Sequence, residues 1–467
     1  MGDTVEMSRA AHMPRWAIAL AAVLVAGAAA RIAAALDHGR FLSTDERAYA
    51  VLSVAVSRGS YSGPSMNDPL HWPPGSPVFF ALVRQLSGDS GARLDPMALY
   101  WAQAVVGVGL IVVVFLTACL LAGPWAGVAA AAGVALYPPL AIITGDLVSE
   151  PLGALTGALI ILALAWAWRA PSPWRFGAAG LATGAAILVR ADLLVLPFVL
   201  AVVVALSLWR SGRRPALAGA GAYLVTAVLA LAPWSIYATE RRNQLTPITS
   251  SSWSALFVGT YLPADGRIFG IREALGDEAR AHNPRFRNIP NRNLRTQWIL
   301  DAVAARHPEV GRSEALKRET LHNLRVYALG RPLSFAAMQV RKLERMWIGY
   351  DRGTHHAERT WILVVHLLLS AGGLAGLLLG LRRTGHPVLW AILATVVTVT
   401  AINSFFVSEA RHNVRLVPLL LAGGAAGIAL ALLSDRGRGE RSGPPRTPAS
   451  APDPDRSAPP PGAAAVR

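Results

Sequence analysis

Residues 176–208 read FGAAGLATGAAILVRADLLVLPFVLAVVVALSL, an apolar run whose only charged residues are Arg190 and Asp192. A helix needs about 20 apolar residues to cross a hydrocarbon core. The run is therefore either one long buried segment or two short spans that turn at Arg190, Ala191 and Asp192. Charge decides between them. Two spans put Arg169 and Arg175, then Arg210, Arg213 and Arg214, then Arg382 and Arg383, on the side of Arg9 and Arg15, as the positive-inside rule requires. One span scatters them across both faces.

Outward from this stretch, further apolar runs lie at 16–36, 98–122, 125–140, 147–168, 216–236, 360–381, 388–406 and 414–433. With 176–189 and 193–208 they make about ten crossings, and the predicted fold is an all-α polytopic membrane protein. The first run, preceded by Arg9 and Arg15, has the Ala-rich end of a cleaved signal peptide. It is long for such a segment and more spans follow, so it reads as an anchor with a cytoplasmic N-terminus. Composition agrees: of 467 residues 53% are hydrophobic and 15% charged, too apolar for an ordinary soluble chain. The net charge of +16 would suggest nucleic acid in a soluble protein. Here the arginines gather between apolar runs, where they set orientation and meet lipid phosphates, so nucleic acid is not an expected partner and membrane lipids are. Cys119, the single cysteine, forms no internal disulfide and reads as a small core residue.

This topology divides the chain into a cytoplasmic N-terminus (1–15), a membrane region (16–237) with a first outward loop at 37–95, an outward domain (238–359), C-terminal spans (360–433) and a tail (434–467). Both termini are expected in the cytoplasm of a multi-pass cell-membrane protein. Helical spacing of apolar residues predicts amphipathic helices over 313–329 and 332–347, separated by Gly330 and started by Pro332. The tail, rich in Pro, Ala, Ser and Gly, is expected to be disordered.

Ionisable residues at the outward ends of the spans are the candidates for chemistry, because charge at membrane depth is costly unless paired or wet. STDERAYA, just past the first run, sets Asp45 beside Glu46 with Tyr49 a turn later. Adjacent carboxylates supply a general base or a metal ligand; the structural alternative is Asp45 or Thr44 capping a short helix in a solvated loop. NDPLHWPPGSPVFF presents Asp68 and His71 on a proline-stiffened segment, His71 being a metal ligand, an acid or an interfacial residue, and Trp72 a membrane-interface anchor. In YPPLAIITGDLVSEPL, Asp146 and Glu150 are spaced to share a helix face, and Pro151 makes Glu150 a first-turn residue. The fourth cluster is Arg190 with Asp192, and SEARHNVRLVP with Arg411 and Arg415. Guanidinium pairs grip phosphate and stabilise the charge of a leaving group; otherwise they snorkel to headgroups.

The order of these features resembles the GT-C membrane glycosyltransferases. A DE pair opens the first outward loop, a PPG segment follows, then a YPP…TGxLxSEP turn, a central Arg turn, RKLERMW before a late span, and R-x-x-x-R-x-x-P. Within that superfamily the pattern is similar to the family-39-like branch of protein O-mannosyltransferases and of aminoarabinose transferases that modify lipid A. The resemblance covers 16–433. It implies a GT-C type bundle with an outward extramembrane domain, and transfer, with inversion, of a hexosyl or pentosyl group from a polyprenyl-phosphate sugar to a lipid, glycan or protein acceptor on the outer face. It implies that Asp45 is the base or the acceptor-orienting acid with Glu46 beside it, that Asp146 and Glu150 shape the donor or metal site, and that Arg190, Arg411 and Arg415 hold the lipid phosphate. The branch carries a charged residue before the prolines, where this chain has His71 and Trp72. A divalent metal is thus an open expectation, with Asp45, His71 and Glu150 as candidate ligands.

Three other classes compete. A secondary transporter would show two hydropathy halves with broken helices at the midplane, whereas the ionisable residues here sit at span ends. A lipid-linked-glycan ligase or polymerase would carry its chemistry on a long late loop rather than on the first loop's DE pair. A scaffold gives no reason for carboxylates beneath an arginine cluster.

Overall fold

The computed structural model describes residues 13–37, 42–62, 68–89, 91, 93–348, 360–407, 409 and 411–441. The described chain is helical, with no strand. Its elements are α1 (Arg15–Leu36), α2 (Thr44–Ser57), α3 (Gly75–Leu86), α4 (Met97–Ala122), α5 (Pro124–Ala135), α6 (Pro138–Ile142), α7 (Glu150–Arg169), α8 (Pro173–Val189), α9 (Leu196–Leu208), α10 (Arg213–Arg242), α11 (Ser252–Thr260), α12 (Ile268–His282), α13 (Thr296–Ala304), α14 (Arg312–Asn323), α15 (Pro332–Trp347), α16 (Thr360–Thr384), α17 (Pro387–Phe405), α18 (Arg411–Val414) and α19 (Val417–Arg441). Eight segments among the described residues are long and apolar enough to cross a membrane. A ninth exists if α5 and the bent piece after it count as one span, and α8, with 17 residues, falls just short. This is an all-α polytopic membrane protein.

The run at 176–208 forms two helices. A short 3-10 turn over Ala191–Leu193 joins α8 to α9, with Arg190 as the hinge residue. Within the bundle α8 lies between α7 and α10, α17 packs on α9 and α7, and α19 runs beside α16, α5 and α4.

The bend between α5 and α6, 63° at the Tyr137-Pro138-Pro139 break, follows from backbone chemistry. The carbonyl of Val134 would accept from the amide of residue 138 in a continuous helix, but Pro138 has no N–H. Arg31, fully buried on α1, extends its guanidinium to that carbonyl (Nη2 to O 3.4 Å) and to Gly27 O (3.0 Å). The buried cation thus adds a second donor to a carbonyl that otherwise keeps only a long bond from the Tyr137 amide (3.4 Å). The bend carries 138–149 back across the end of the bundle instead of letting the helix run on.

Several expectations change in detail. The stretch at 37–95, expected to be an outward loop, contains two α-helices among the described residues, α2 and α3, so Asp45 lies in a first helical turn and not in a loop. The cap is neither Asp45 nor Thr44. Ser43 accepts from the Glu46 amide while the Glu46 side chain accepts from the Ser43 amide, a reciprocal capping box. Asp146 and Glu150 do not share a helix face: Asp146 is extended (φ −111°, ψ 139°), and α7 begins only at Glu150, where Pro151 fits. Trp72 is partly buried and packs on two buried clusters, with Tyr49 and Phe80 in one and Leu52 and Tyr61 in the other. Helix α19 continues to Arg441, since nothing in SDRGRGER is Pro or β-branched; residues 442–467 of the expected tail, like 1–12, lie outside the described residues.

The region after α10 has its own core, built by α11 to α14 around Phe257, Ile271, Leu275, Ile299, Val303 and Leu316. The expected amphipathic helices are α14, prolonged by a π-helical turn over Leu324–Leu329, and α15. This domain grips the PPG segment. Ser250 Oγ and Arg242 Nη1 (3.0 Å) both donate to Asp68, and Ser251 Oγ donates to the His71 carbonyl (3.0 Å).

Candidate functional site

Five chain segments meet at one end of the bundle: the start of α2, the 143–150 turn, the α8–α9 hinge, the end of α17 and the α18 loop. The PPG segment closes the group. A Cβ on Gly75 would stand 2.9 Å from the Leu188 carbonyl, so only glycine lets α3 start against the last turn of α8, next to Arg190.

Asp192 is the hub on one side. Arg415 spans both of its oxygens (Nη1 to Oδ1 3.0 Å, Nη2 to Oδ2), Asn403 Nδ2 donates to Oδ2 at 3.1 Å, and Arg190 Nη2 lies 3.4 Å away. Arg190 also donates through Nη1 to Ser149 Oγ (2.9 Å) and to Glu150 Oε1 (3.3 Å). Arg415 and Glu150 are each 3% exposed, so this side is a fixed frame of opposite charges with no free face. Four or five groups hold one another where unpaired charge would be expensive.

Arg411 is the hub on the other side, and it is about a third exposed. Nη1 donates to Asp45 Oδ2 (2.8 Å), Nε donates to Glu409 Oε2 (2.8 Å), and Glu150 Oε1 lies 3.9 Å from Nε. Glu150 therefore sits between the two hubs. Arg411 and Arg415 stand four residues apart, but α18 ends at Val414 and the two side chains serve different carboxylates.

Asp45 and Asp146 differ in charge state. Burial would raise the Asp45 carboxyl, but the charge and hydrogen bond of Arg411, with a hydrogen bond from Trp72, hold it below the usual carboxylate range. Asp146 makes no ion pair in the described structure; burial, with Glu46 and Glu150 nearby, pushes its carboxyl up to about 7. A group poised near neutrality can take and release a proton at working pH. Glu46 is 9% exposed and fully committed: Oε2 to the Ser43 amide (2.8 Å) and Oε1 to the Leu147 amide (3.0 Å). It ties α2 to the Asp146 turn. Tyr49 is buried with its hydroxyl on Ser149, and burial together with Glu150 raises it. His71 stacks edge-on against Trp72 at 4.6 Å; burial pushes its imidazole down, so it is neutral.

Reading the sequence missed Glu409 and His412. Both stand in the polar run SEARHN between two apolar spans, which is the signal that marks them. Burial and the three arginines drive His412 far down, so a neutral imidazole sits among Arg190, Arg411 and Arg415. Asn413, between them, donates to the Met346 carbonyl and ties the arginine loop to the end of RKLERMW. Among the described residues no three His, Cys, Asp or Glu side chains converge as a metal ligand set, and Asp45, His71 and Glu150 are not assembled into one.

Residues 71–237 match the family model for dolichyl-phosphate-mannose-protein mannosyltransferases. No curated protein matches the sequence. Among solved structures, the archaeal oligosaccharyltransferase AglB from Archaeoglobus fulgidus, in complex with an inhibitory peptide and a dolichol-phosphate, aligns over 91% of this chain and 51% of its own length, at 13% identity and a TM-score of 0.55. The apo form of the Archaeoglobus fulgidus oligosaccharyltransferase aligns over 92% and 51%, at 15% identity and a TM-score of 0.53. The chain thus spans about half the length of these proteins. ArnT from Cupriavidus metallidurans, bound to undecaprenyl phosphate, aligns over 92% of this chain and 81% of its own length, at 17% identity and a TM-score of 0.40. The fold is of the GT-C type.

Proposed function

We propose that this chain, with its GT-C type fold, transfers a sugar from a polyprenyl-phosphate donor to an acceptor on the outer face of the membrane. The observation that carries the reading is the juxtaposition of a half-open arginine with two unlike carboxylates, Asp45 held ionised and Asp146 poised near pH 7. The orientation is supported by Arg169, Arg175, Arg210, Arg213 and Arg214, which lie at the opposite end, the end that the positive-inside rule assigns to the cytoplasm.

The chemistry follows from what each group is free to do. The donor phosphate is a good leaving group, so the protein's tasks are to hold its growing charge and to take the acceptor's proton. Arg411 has the exposure to meet the phosphate, while Arg190 and Arg415 supply positive potential behind it from fixed pairs with Asp192 and Glu150. Asp45, locked by Arg411 and Trp72, orients the acceptor hydroxyl. Asp146 accepts the proton. Glu46, with both oxygens bonded, positions the Asp146 turn, and Tyr49 fills the floor. A bilayer confines donor and catalyst to one layer, which supplies part of the rate by proximity. Attack opposite the departing phosphate makes the transfer inverting.

The test is turnover by the purified protein in lipid bilayers, offered polyprenyl-phosphate sugars and, separately, nucleotide sugars. Loss of sugar from a lipid-linked donor alone is expected. Asp45→Ala should abolish it while costing about 1 kcal/mol or less of stability, because the Asp45–Arg411 pair is part-exposed. Consumption of nucleotide sugars instead, or full activity in the variant, overturns the reading.

A further inference from the structure

Helices α8 and α10 run parallel and very close: a Cβ on Gly180 would stand 2.0 Å from the Tyr223 carbonyl, and one on Gly184 would stand 2.7 Å from that of Ala227. Beside this seam, toward lipid, lies a groove of about 580 Å³ lined by Trp174, Gly177, Leu181, Thr226, Leu229 and their neighbours. Its walls are the exposed Trp174, Leu181 and Leu229, and its floor is small residues. Thr226 and the indole N–H of Trp174 are the polar groups in the lining, and the Thr226 hydroxyl is spent on the Gly177 carbonyl at 2.7 Å. The rest of the lining is apolar, and the groove takes an apolar chain.

Its rim is different. The Arg175 guanidinium lies 4.7 Å over the Trp166 ring and 5.4 Å over that of Trp174, itself a groove wall. Among the described residues no carboxylate pairs with Arg175. Its aromatic side is covered and its remaining N–H groups are left for an anion. We infer that this groove seats one acyl chain of an anionic glycerophospholipid whose phosphate rests on Arg175.

Charge complementarity selects this occupant. A zwitterionic lipid would bring its own cation toward an end already crowded with Arg169, Arg210, Arg213 and Arg214. Arg175 lies in the first turn of α8 and Arg190 follows its last, about 22 Å away at the rise of a helix. The lipid site is thus separate from the sugar-transfer site and stands without it.

Native mass spectrometry of the purified chain, exchanged into equal phosphatidylglycerol and phosphatidylcholine, tests the inference without any activity assay. One phosphatidylglycerol should be retained about five-fold over phosphatidylcholine. Arg175→Gln should remove the preference, Ala178→Trp should remove the bound lipid by filling the groove, and Arg213→Gln should change neither. Equal retention of both lipids by the parent chain overturns the inference, as does a preference that survives Arg175→Gln. A dimer that disappears in Ala178→Trp would assign the groove to a second copy and overturn it too.

Discussion

At one end of the bundle Arg190, Arg411 and Arg415 all lie against carboxylates, and the most buried of them, Arg415, is bonded at both Nη atoms to Asp192. At the other end Arg169, Arg175, Arg210, Arg213 and Arg214 have no carboxylate partner among the described residues, and Arg383 meets only the half-exposed Asp435. The difference is one of solvation. Unpaired arginines at the basic end are stabilised by water, headgroups and tryptophan faces, so their work is done by position along the chain. Of those at the paired end, Arg190 and Arg415 are largely cut off from water and Arg411 is about a third exposed, yet all three lie against carboxylates, an arrangement that orientation in the membrane does not require.

Removing a partner from the paired end should give the largest effect. Asp192→Ala strips Arg415 of its carboxylate, and we expect a loss of about 3–5 kcal/mol, read as accelerated thermal inactivation in bilayers. A loss below 1 kcal/mol would mean that the frame is wet and that the two ends are alike. Asp146→Asn comes next. The unfolded chain releases this proton near 3.8 and the folded one near 7, so the stability it contributes is complete below 3.8 and lost as pH rises through about 7. The parent chain should lose stability over that window and the Asn variant should not. If Asp146 takes the acceptor's proton, transfer should rise through about pH 7 in the parent, whereas the variant should be slower by about 10²-fold or more with no such rise. Arg213→Gln, at the unpaired end, should shift stability by about 0.5 kcal/mol or less. A shift as large as that of Asp192→Ala would break the contrast.

The spans were legible because a helix in lipid must be long and apolar, and charge settled how 176–208 folds. The resemblance pointed to the right fold. What spacing could not supply was the partnership of side chains. Asp192 and Arg415 meet across more than two hundred residues, and no local pattern announces that pair. Asp146 and Glu150 were misread for a local reason: a four-residue spacing implies a shared face only if the backbone between is helical, and it is extended at Asp146. Ser43 and Glu46 stand as S-x-x-E before an apolar run, a capping box that was there to be read.

The Arg31–Val134 contact bears on how α5 depends on α1. α1 precedes α5 along the chain, and without Arg31 the break in α5 holds its Val134 carbonyl only through a long bond from the Tyr137 amide. Packing of α1 against α5 therefore supplies a second donor at the place where the later helix is broken. A chain from which α1 had been removed would still carry Pro138 and would leave Val134 with the Tyr137 amide alone.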